Sequence, residues 1–314
     1  MAFANPTDAL TAANLAAFIG EVWADMIVEA EFEDLTILNF ALDGSQWLAQ
    51  GGDIAHIPGL FTNIYTVQTQ STQGNGIVDE GLGADDVSLT VNTHKYIATV
   101  MGKKDMVQIL NKYDLSQAYL REFSRLLLQA VEDSLFGLYA DVVTNTTGNS
   151  GGAVVDSHLR TARQKLEGAT NGSIIAGARD CAWFFDTQTF WLQLAALQKF
   201  YDKSQSGVDA IQITGNFGPM DSRNAAYKGM VYGIPCYVSP RVIRSTNVSK
   251  NLLAHKWAFA FAIQGGSNGM TSTEINYLPT NLATLVTAQI IYGVKTVNEK
   301  RAVLIEGLST TTVS

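Results

Sequence analysis

The sequence predicts an α+β protein: a helical arm, a long two-stranded ribbon, one long amphipathic helix, a central α/β region and a closing set of long strands. Three features point there. Ala-rich sequence with interspersed acids gives way at Gly51 to alternating sequence around a glycine-rich tip, a 3.6-residue apolar period runs from Asp114 to Val143, and alternation dominates again after Trp257. With 314 residues, 46% of them apolar, the chain can fill a sizeable core, which excludes disorder as its dominant state. Its longest uninterrupted apolar run, Trp257–Ile263, is far below the ~20 residues of a membrane-spanning helix.

Residues 11–38 hold no Pro and only Gly20 as a breaker, so they read as one or two helices of an N-terminal arm that ends near residue 50. Gly51, Gly52, Pro58 and Gly59 open the ribbon. Ile64–Gln70 alternates, Gly74, Gly76, Gly81 and Gly83 form its tip, and Asp86–Thr93 returns and continues to Met101. A two-stranded ribbon is marginal alone and must lie on something else. Asp114 can cap the long helix. Tyr119, Phe123, Leu126, Leu127, Ala130, Ser134, Leu135 and Leu138 fall on its apolar face, and Arg121, Glu122, Arg125, Gln129, Glu132 and Asp133 on the other. Asn145–Gly152 ends it, and a shorter helix follows at about Ser157–Glu167. Beyond Gly172 the patterns alternate: strand at Cys181–Phe185, helix at Thr187–Tyr201, strand at Ala210–Thr214 and a single strand over Gly229–Val238. The closing strands are Trp257–Ile263, Glu274–Leu278, Leu285–Val294 and Ala302–Ile305.

Only 16% of residues are charged, below the ~25% of ordinary soluble domains, so the chain has little charge to spend on solvated surface. That charge is unevenly placed. The net charge is −8, yet the first Lys or Arg is Lys95; residues 1–94 carry thirteen carboxylates and no base, and the remainder carries 16 carboxylates against 21 bases. One reading is compositional drift with both segments solvated. The other is complementarity between copies, acids of one subunit on bases of the next, which makes a head-to-tail contact of the kind that builds rings and shells. Glu29, Glu31, Glu33, Asp79, Glu80, Asp85 and Asp86 are then the acidic side, and Lys103, Lys104, Arg121 and Arg125 the basic side. Ile64, Tyr65 and Val67 supply apolar contact on the ribbon. Direct nucleic-acid recognition is disfavoured by the overall sign and by the lack of aromatic and basic interleaving.

Motifs for chemistry are incomplete. Gly265-Gly266-Ser267-Asn268-Gly269 matches a nucleophile elbow, but Thr- and Asn-rich sequence follows where a helix is needed and the last His, His255, precedes Ser267. A serine hydrolase at Ser267 is therefore a distant alternative. His56, His94, His158 and His255 have no metal-ligand spacing, and the acids near the ribbon tip lack the order of a calcium loop. No catalytic residue, metal or cofactor is expected. Cys181 and Cys236 are too few for a disulfide-stapled scaffold, and Met1–Pro6 shows no basic region ahead of an apolar stretch, so reduced thiols in a cytosol are the expectation.

The order of these parts resembles the major capsid proteins of tailed bacteriophages. The residues that carry the resemblance are Gly52-Asp53-Ile54-Ala55-His56-Ile57-Pro58, the descending Val87–Val100, the helix Leu115–Ala140 and Gly229-Met230-Val231-Tyr232-Gly233-Ile234-Pro235. It implies an icosahedral shell subunit with an N-terminal arm (1–50), an E-loop ribbon (51–101), a peripheral domain (102–168 and 240–314) with a spine helix and β-sheet, and an axial domain (169–239). It further implies homo-oligomerisation into hexamers and pentamers around double-stranded DNA, with portal, scaffolding and possible decoration proteins as partners. Location in a virion, assembly in the host cytoplasm and no membrane association complete the expectation. An encapsulin-like compartment shell resembles the same fold and is the alternative. Some relatives weld their shells from a ribbon Lys to an Asn of a neighbour; here the first Lys lies past the predicted tip, so a noncovalent shell is expected.

Overall fold

The sequence Ala283–Thr296 is rich in β-branched residues and alternates in burial from Val286 to Tyr292, which suits it to the centre of a sheet. A computed structural model gives the fold and describes residues 35–48, 52–59, 85–102, 115–168, 179–195, 197, 226–264 and 272–308. Its helices are α1 (Ile37–Phe40), α2 (Leu115–Gly137), α3 (Asp156–Glu167) and the short α4 (Thr187–Thr189), which runs on as a π turn over Phe190–Leu194. Its strands are β1 (Leu42–Asp43), β2 (Ile54–Gly59), β3 (Asp85–Thr90), β4 (Thr93–Gly102), β5 (Thr146–Asn149), β6 (Cys181–Asp186) and β7 (Tyr227–Val231). They continue with β8 (Ile234–Ser239), β9 (Arg244–Ser245), β10 (Val248–His255), β11 (Phe259–Gln264), β12 (Ser272–Leu278), β13 (Ala283–Thr296) and β14 (Ala302–Leu308).

β13 organises the first sheet. One of its edges is taken by β4, and the other is shared end to end by β12 and β11, with β1 added in parallel beyond β11. Val286, Ala288, Ile290 and Tyr292 of β13 join Phe259, Phe261 and Ile263 of β11 on one face, where Phe123, Leu127, Val131, Leu135 and Phe136 of α2 cover them. Tyr292 Oη lies 2.8 Å from Ser134 Oγ, which fixes the helix on the sheet at that level.

The second sheet runs β5-β14-β10-β6-β8-β7, with β9 on β10, and its central strands are buried on both sides. Every residue of β6 is buried, so it has no solvent face to alternate with; Ala182 and Phe184 enter the core under α2, while Cys181, Trp183 and Phe185 enter a second core closed by Leu159, Ala162 and Leu166 of α3. The first core is thus common to both sheets. Burial of each large side chain in it contributes about 1.5–3 kcal/mol. At the end of β6, Asp186 is fully buried and satisfied: Arg244 donates to it at 2.7 Å, and the backbone N–H groups of Gln188 and Thr189 and the Ser249 hydroxyl also donate to it.

Several local expectations change. The descending strand expected over Asp86–Met101 is two strands with different partners: β3 pairs with β2, and β4 pairs with β13. The strand expected over Gly229–Val238 is a hairpin, turned by Tyr232 and Gly233 with φ of 53° and 74°. The long helix ends at Gly137 and passes through a 3₁₀ turn at Leu138–Asp141. β10 and β5 fall where no strand was expected, and β10 is the central partner of both β6 and β14. Glu132 is buried because the chain at Thr36–Ile37 covers that side of α2, and Gln129 is buried too, whereas Tyr119 and Leu126, expected on the apolar face, are exposed. The strand expected at Ala210–Thr214 and the N-terminal part of the arm lie outside the described residues.

Candidate assembly interface

The base of the ribbon is held by a simple pattern. In the β2–β3 ladder Ala55 faces Leu89 and Ile57 faces Val87, and these residues point inward with Val91 onto Ala260, Ala262 and Leu48, on the side of β11 opposite to α2. His56, Asp86 and Ser88 take the outward face. Asp86, an expected acidic contact, lies 2.7 Å from His56 Nδ1, its diagonal neighbour across the ladder. Both side chains are at least half exposed, so this pair contributes little to stability.

Where the chain leaves the ribbon for β4 it crosses the sheet at Gly293. A Cβ there would sit 2.8 Å from the Thr90 carbonyl carbon, 3.0 Å from Val91 Cα and closer still to the Thr90 oxygen. Only glycine permits this approach.

Asp85 starts β3 opposite Gly59, and Arg121 and Arg125 stand one turn apart on the exposed side of α2. The ribbon base and α2 pack on opposite faces of the first sheet, so the fold does not bring the acids of β3 to the two arginines within one subunit. Glu29, Glu31, Glu33, Ile64, Tyr65, Val67, Asp79, Glu80, Lys103 and Lys104 lie outside the described residues.

Beyond the ribbon base the outer face of the first sheet is uncovered by any described residue. Tyr96 and Val100 of β4 are 71% and 54% exposed, in register with Gln289 and Leu285 of β13. His94 Nε2 and Gln289 Oε1, 3.1 Å apart, flank Tyr96. Ile275 and Tyr277 of β12 are exposed on the other face of the same end. Sequence reading missed this surface because alternation in β4 marks one buried face without telling whether the other meets solvent or protein.

Among the described residues no group of three His, Cys, Asp or Glu is placed to hold a metal ion, and Ser267 lies outside them. A cavity of about 320 Å³ beside α3 is lined by Arg160, Arg163, Gln164, Glu167, Gly168 and Tyr232. Its cations are engaged: Arg163 Nε donates to Glu167 at 2.7 Å and Nη1 to the Tyr232 carbonyl at 2.8 Å, and Arg160 pairs with Asp156 at 3.0 Å.

Both cysteines are buried and unpaired. Burial pushes the Cys181 thiol up to about 12, with Asp180 and Glu167 adding to the shift, and pushes Cys236 up as well. A thiol held protonated and covered reacts slowly. Native protein is therefore expected to release no chromophore from a disulfide reagent at neutral pH within minutes, and two equivalents once unfolded. Stoichiometric labelling of the folded chain would contradict the burial of β6 and β8.

No family model and no curated protein matches this sequence. Solved structures do match it along almost its whole length. A structure titled Mycobacterium phage Che8 has 20% identity and a TM-score of 0.67, covering 92% of this chain and 97% of that one. The asymmetric unit of the bacteriophage PhiM1 mature capsid has 13% identity and a TM-score of 0.64, covering 91% of both. The holo-SrpI encapsulin complex from Synechococcus elongatus PCC 7942 has 11% identity and a TM-score of 0.62, covering 98% of this chain and 99% of that one. The class these architectures define is the shell-forming fold. Within it, the chain has the fold of tailed-phage major capsid proteins, which encapsulins share.

Proposed function

We propose that this chain is the head-shell subunit of a tailed phage, assembling through hexamers and pentamers into an icosahedral capsid around double-stranded DNA. The observation that supports it most is the likeness of fold over nine-tenths or more of the chain to phage capsid structures. In this reading residues 1–50 are the arm, 51–101 the E-loop, 102–168 with 240–314 the peripheral domain around α2, and 169–239 the axial domain. The portal, a scaffolding protein and a decoration protein are its partners, the host cytoplasm its place of assembly, and its role is structural rather than enzymatic. The uncovered Tyr96 and Val100 then meet a neighbouring copy, and the acids of arm and ribbon meet bases of another subunit, with Arg121 and Arg125 among them.

The likeness to the SrpI encapsulin, along the full length of both chains, favours a compartment shell as the second reading. Electron microscopy of concentrated purified protein tests the first property common to both. Closed shells are expected from the intact chain, and a folded but assembly-defective subunit from one lacking Thr69–Asp85. A wild-type protein that stays monomeric with and without co-expressed neighbouring genes would overturn the proposal. DNA rather than protein cargo in shells from the native source separates the two readings.

A further inference from the structure

The turn between β10 and β11 and the turn that follows β13 are tied together, since the backbone N–H groups of Val297 and Asn298 both donate to the Ala258 carbonyl, at 2.8 and 3.2 Å. This brings Lys256 and Trp257 from one turn beside Arg301 from the other. Trp257 is 49% exposed, and two cations lie within reach of its indole: Lys256 Nζ is 5.6 Å and Arg301 Cζ 5.4 Å from the ring centroid. His255 packs edge-on against the same ring at 5.8 Å. Its imidazole is held below its ordinary pKa, by burial first and by Arg301 next, so near neutral pH it adds no charge to the cluster.

Asp180 faces this cluster and pairs with Lys256 at 3.2 Å. Arg301 has no ion pair among the described residues, and exposed Arg179 precedes Asp180. Two cations sharing one ring repel each other, and each gains only about 0.5–1 kcal/mol from the ring at an exposed site. A half-exposed indole with two cations beside it is a seat for an aromatic group that itself carries carboxylates.

The chain contains such a segment. Residues 1–34 hold seven carboxylates and no Lys or Arg, and their densest stretch, Glu29 to Asp34, includes Glu31-Phe32-Glu33, an aromatic between two acids. We propose that Glu31, Phe32 and Glu33 of a second copy dock on the Lys256–Trp257–Arg301 cluster, with Phe32 on the indole and the two carboxylates toward the two cations. Complementarity in both charge and aromatic character favours this occupant over a nucleic-acid backbone, which the net charge of −8 repels. The inference rests on the reading that the chain self-assembles and adds to it a named contact.

Zero-length carbodiimide coupling of the full chain, using an equal mixture of unlabelled and ¹⁵N-labelled protein, tests it. Lys256 is expected to join Glu31 or Glu33 in pairs of one light and one heavy chain, in a yield that falls several-fold between about 0.1 and about 1 M salt. Coupling only within one chain, or of Lys256 to Asp180 alone while other lysines couple between copies, overturns the docking. So does loss of the Lys256–Glu31 product on addition of double-stranded DNA, since that assigns the cluster to phosphate. Particles counted by microscopy in the same samples separate the two claims: shells without the cross-copy pair overturn the docking alone, and the pair without shells overturns the capsid reading alone. Reversing the cluster with K256E and R301E together is expected to slow assembly about tenfold, and adding E31K and E33K to restore it, as for electrostatically steered association. Unchanged assembly in the cluster variant, with an unchanged melting curve, counts against the docking.

Discussion

Glu132→Ala is expected to destabilise the subunit by about 3 kcal/mol or more and to free the segment Thr36–Phe40 from the long helix. Glu132 is fully buried on α2, and its Oε1 accepts the Thr36 N–H at 2.7 Å, the Thr36 hydroxyl at 2.8 Å and the Ile37 N–H at 3.2 Å. Two of them are backbone N–H groups at the start of α1, whose N-cap Thr36 makes no capping bond with its own side chain. Alanine strands all three donors in a buried site. Urea titration measures the loss, and hydrogen exchange at Thr36 and Ile37 locates it; a change below about 1 kcal/mol would show that water replaces the carboxylate.

The same residue carries a pH dependence. Burial holds the Glu132 carboxyl above its ordinary value against the lowering effect of the Thr36 and Ile37 donors and of Arg241. The folded state therefore binds this proton more tightly than the unfolded chain does. On this account stability is highest near and below the unfolded carboxyl pKa, declines as pH rises through the folded one, and is flat above it. Glu132→Gln removes the titration, so wild type should lose stability relative to this variant as pH rises above the ordinary carboxylate range. A difference constant with pH would mean that the group does not titrate with folding.

Gly293→Val is expected to have an effect of similar size at the ribbon base. The added side chain collides with backbone at Thr90 and Val91, not with a flexible side chain that can move aside, so β3 must lift from β13. Overpacking of this kind costs about 1–3 kcal/mol or more. Contacts of Leu89 and Val91 with Ala260 and Ala262 weaken as a result. A lower melting temperature together with faster proteolysis between residues 52 and 92 is the expected result, and a variant that melts with wild type would mean that the crossing is loose.

The long helix and the closing strands were legible in the sequence because each has one dominant period over many residues. The split of the descending strand was not. Val87, Leu89 and Val91 alternate without a break into Lys95, Ile97 and Thr99, while the change of partner from β2 to β13 is decided by residues some 190 positions away. The hairpin at Tyr232-Gly233 lacked the Asn-Gly or Asp-Gly signal that marks such turns, and Gly233 alone gave the hint. Glu132 illustrates the limit of helical periodicity, which placed it correctly away from the sheet but could not show that residues 36 and 37 would cover that side. For the candidate interface, the charge split is a property of composition and was visible at once. The Trp257 cluster depends on two turns meeting through Ala258, which no local pattern encodes.

Phe184, Leu252, Ala254 and Leu304 of one sheet interlock with Phe136 and Leu135 of α2 and, through that helix, with the Phe261 side of the other sheet. Interiors packed in this way resist compression and sliding, so the two sheets and the long helix behave in mechanical terms as one stiff plate. The ribbon base is joined to this plate at Thr90–Val91, whose backbone lies against Gly293 with no room for a side chain, so a pull on the ribbon passes into β13 at that crossing.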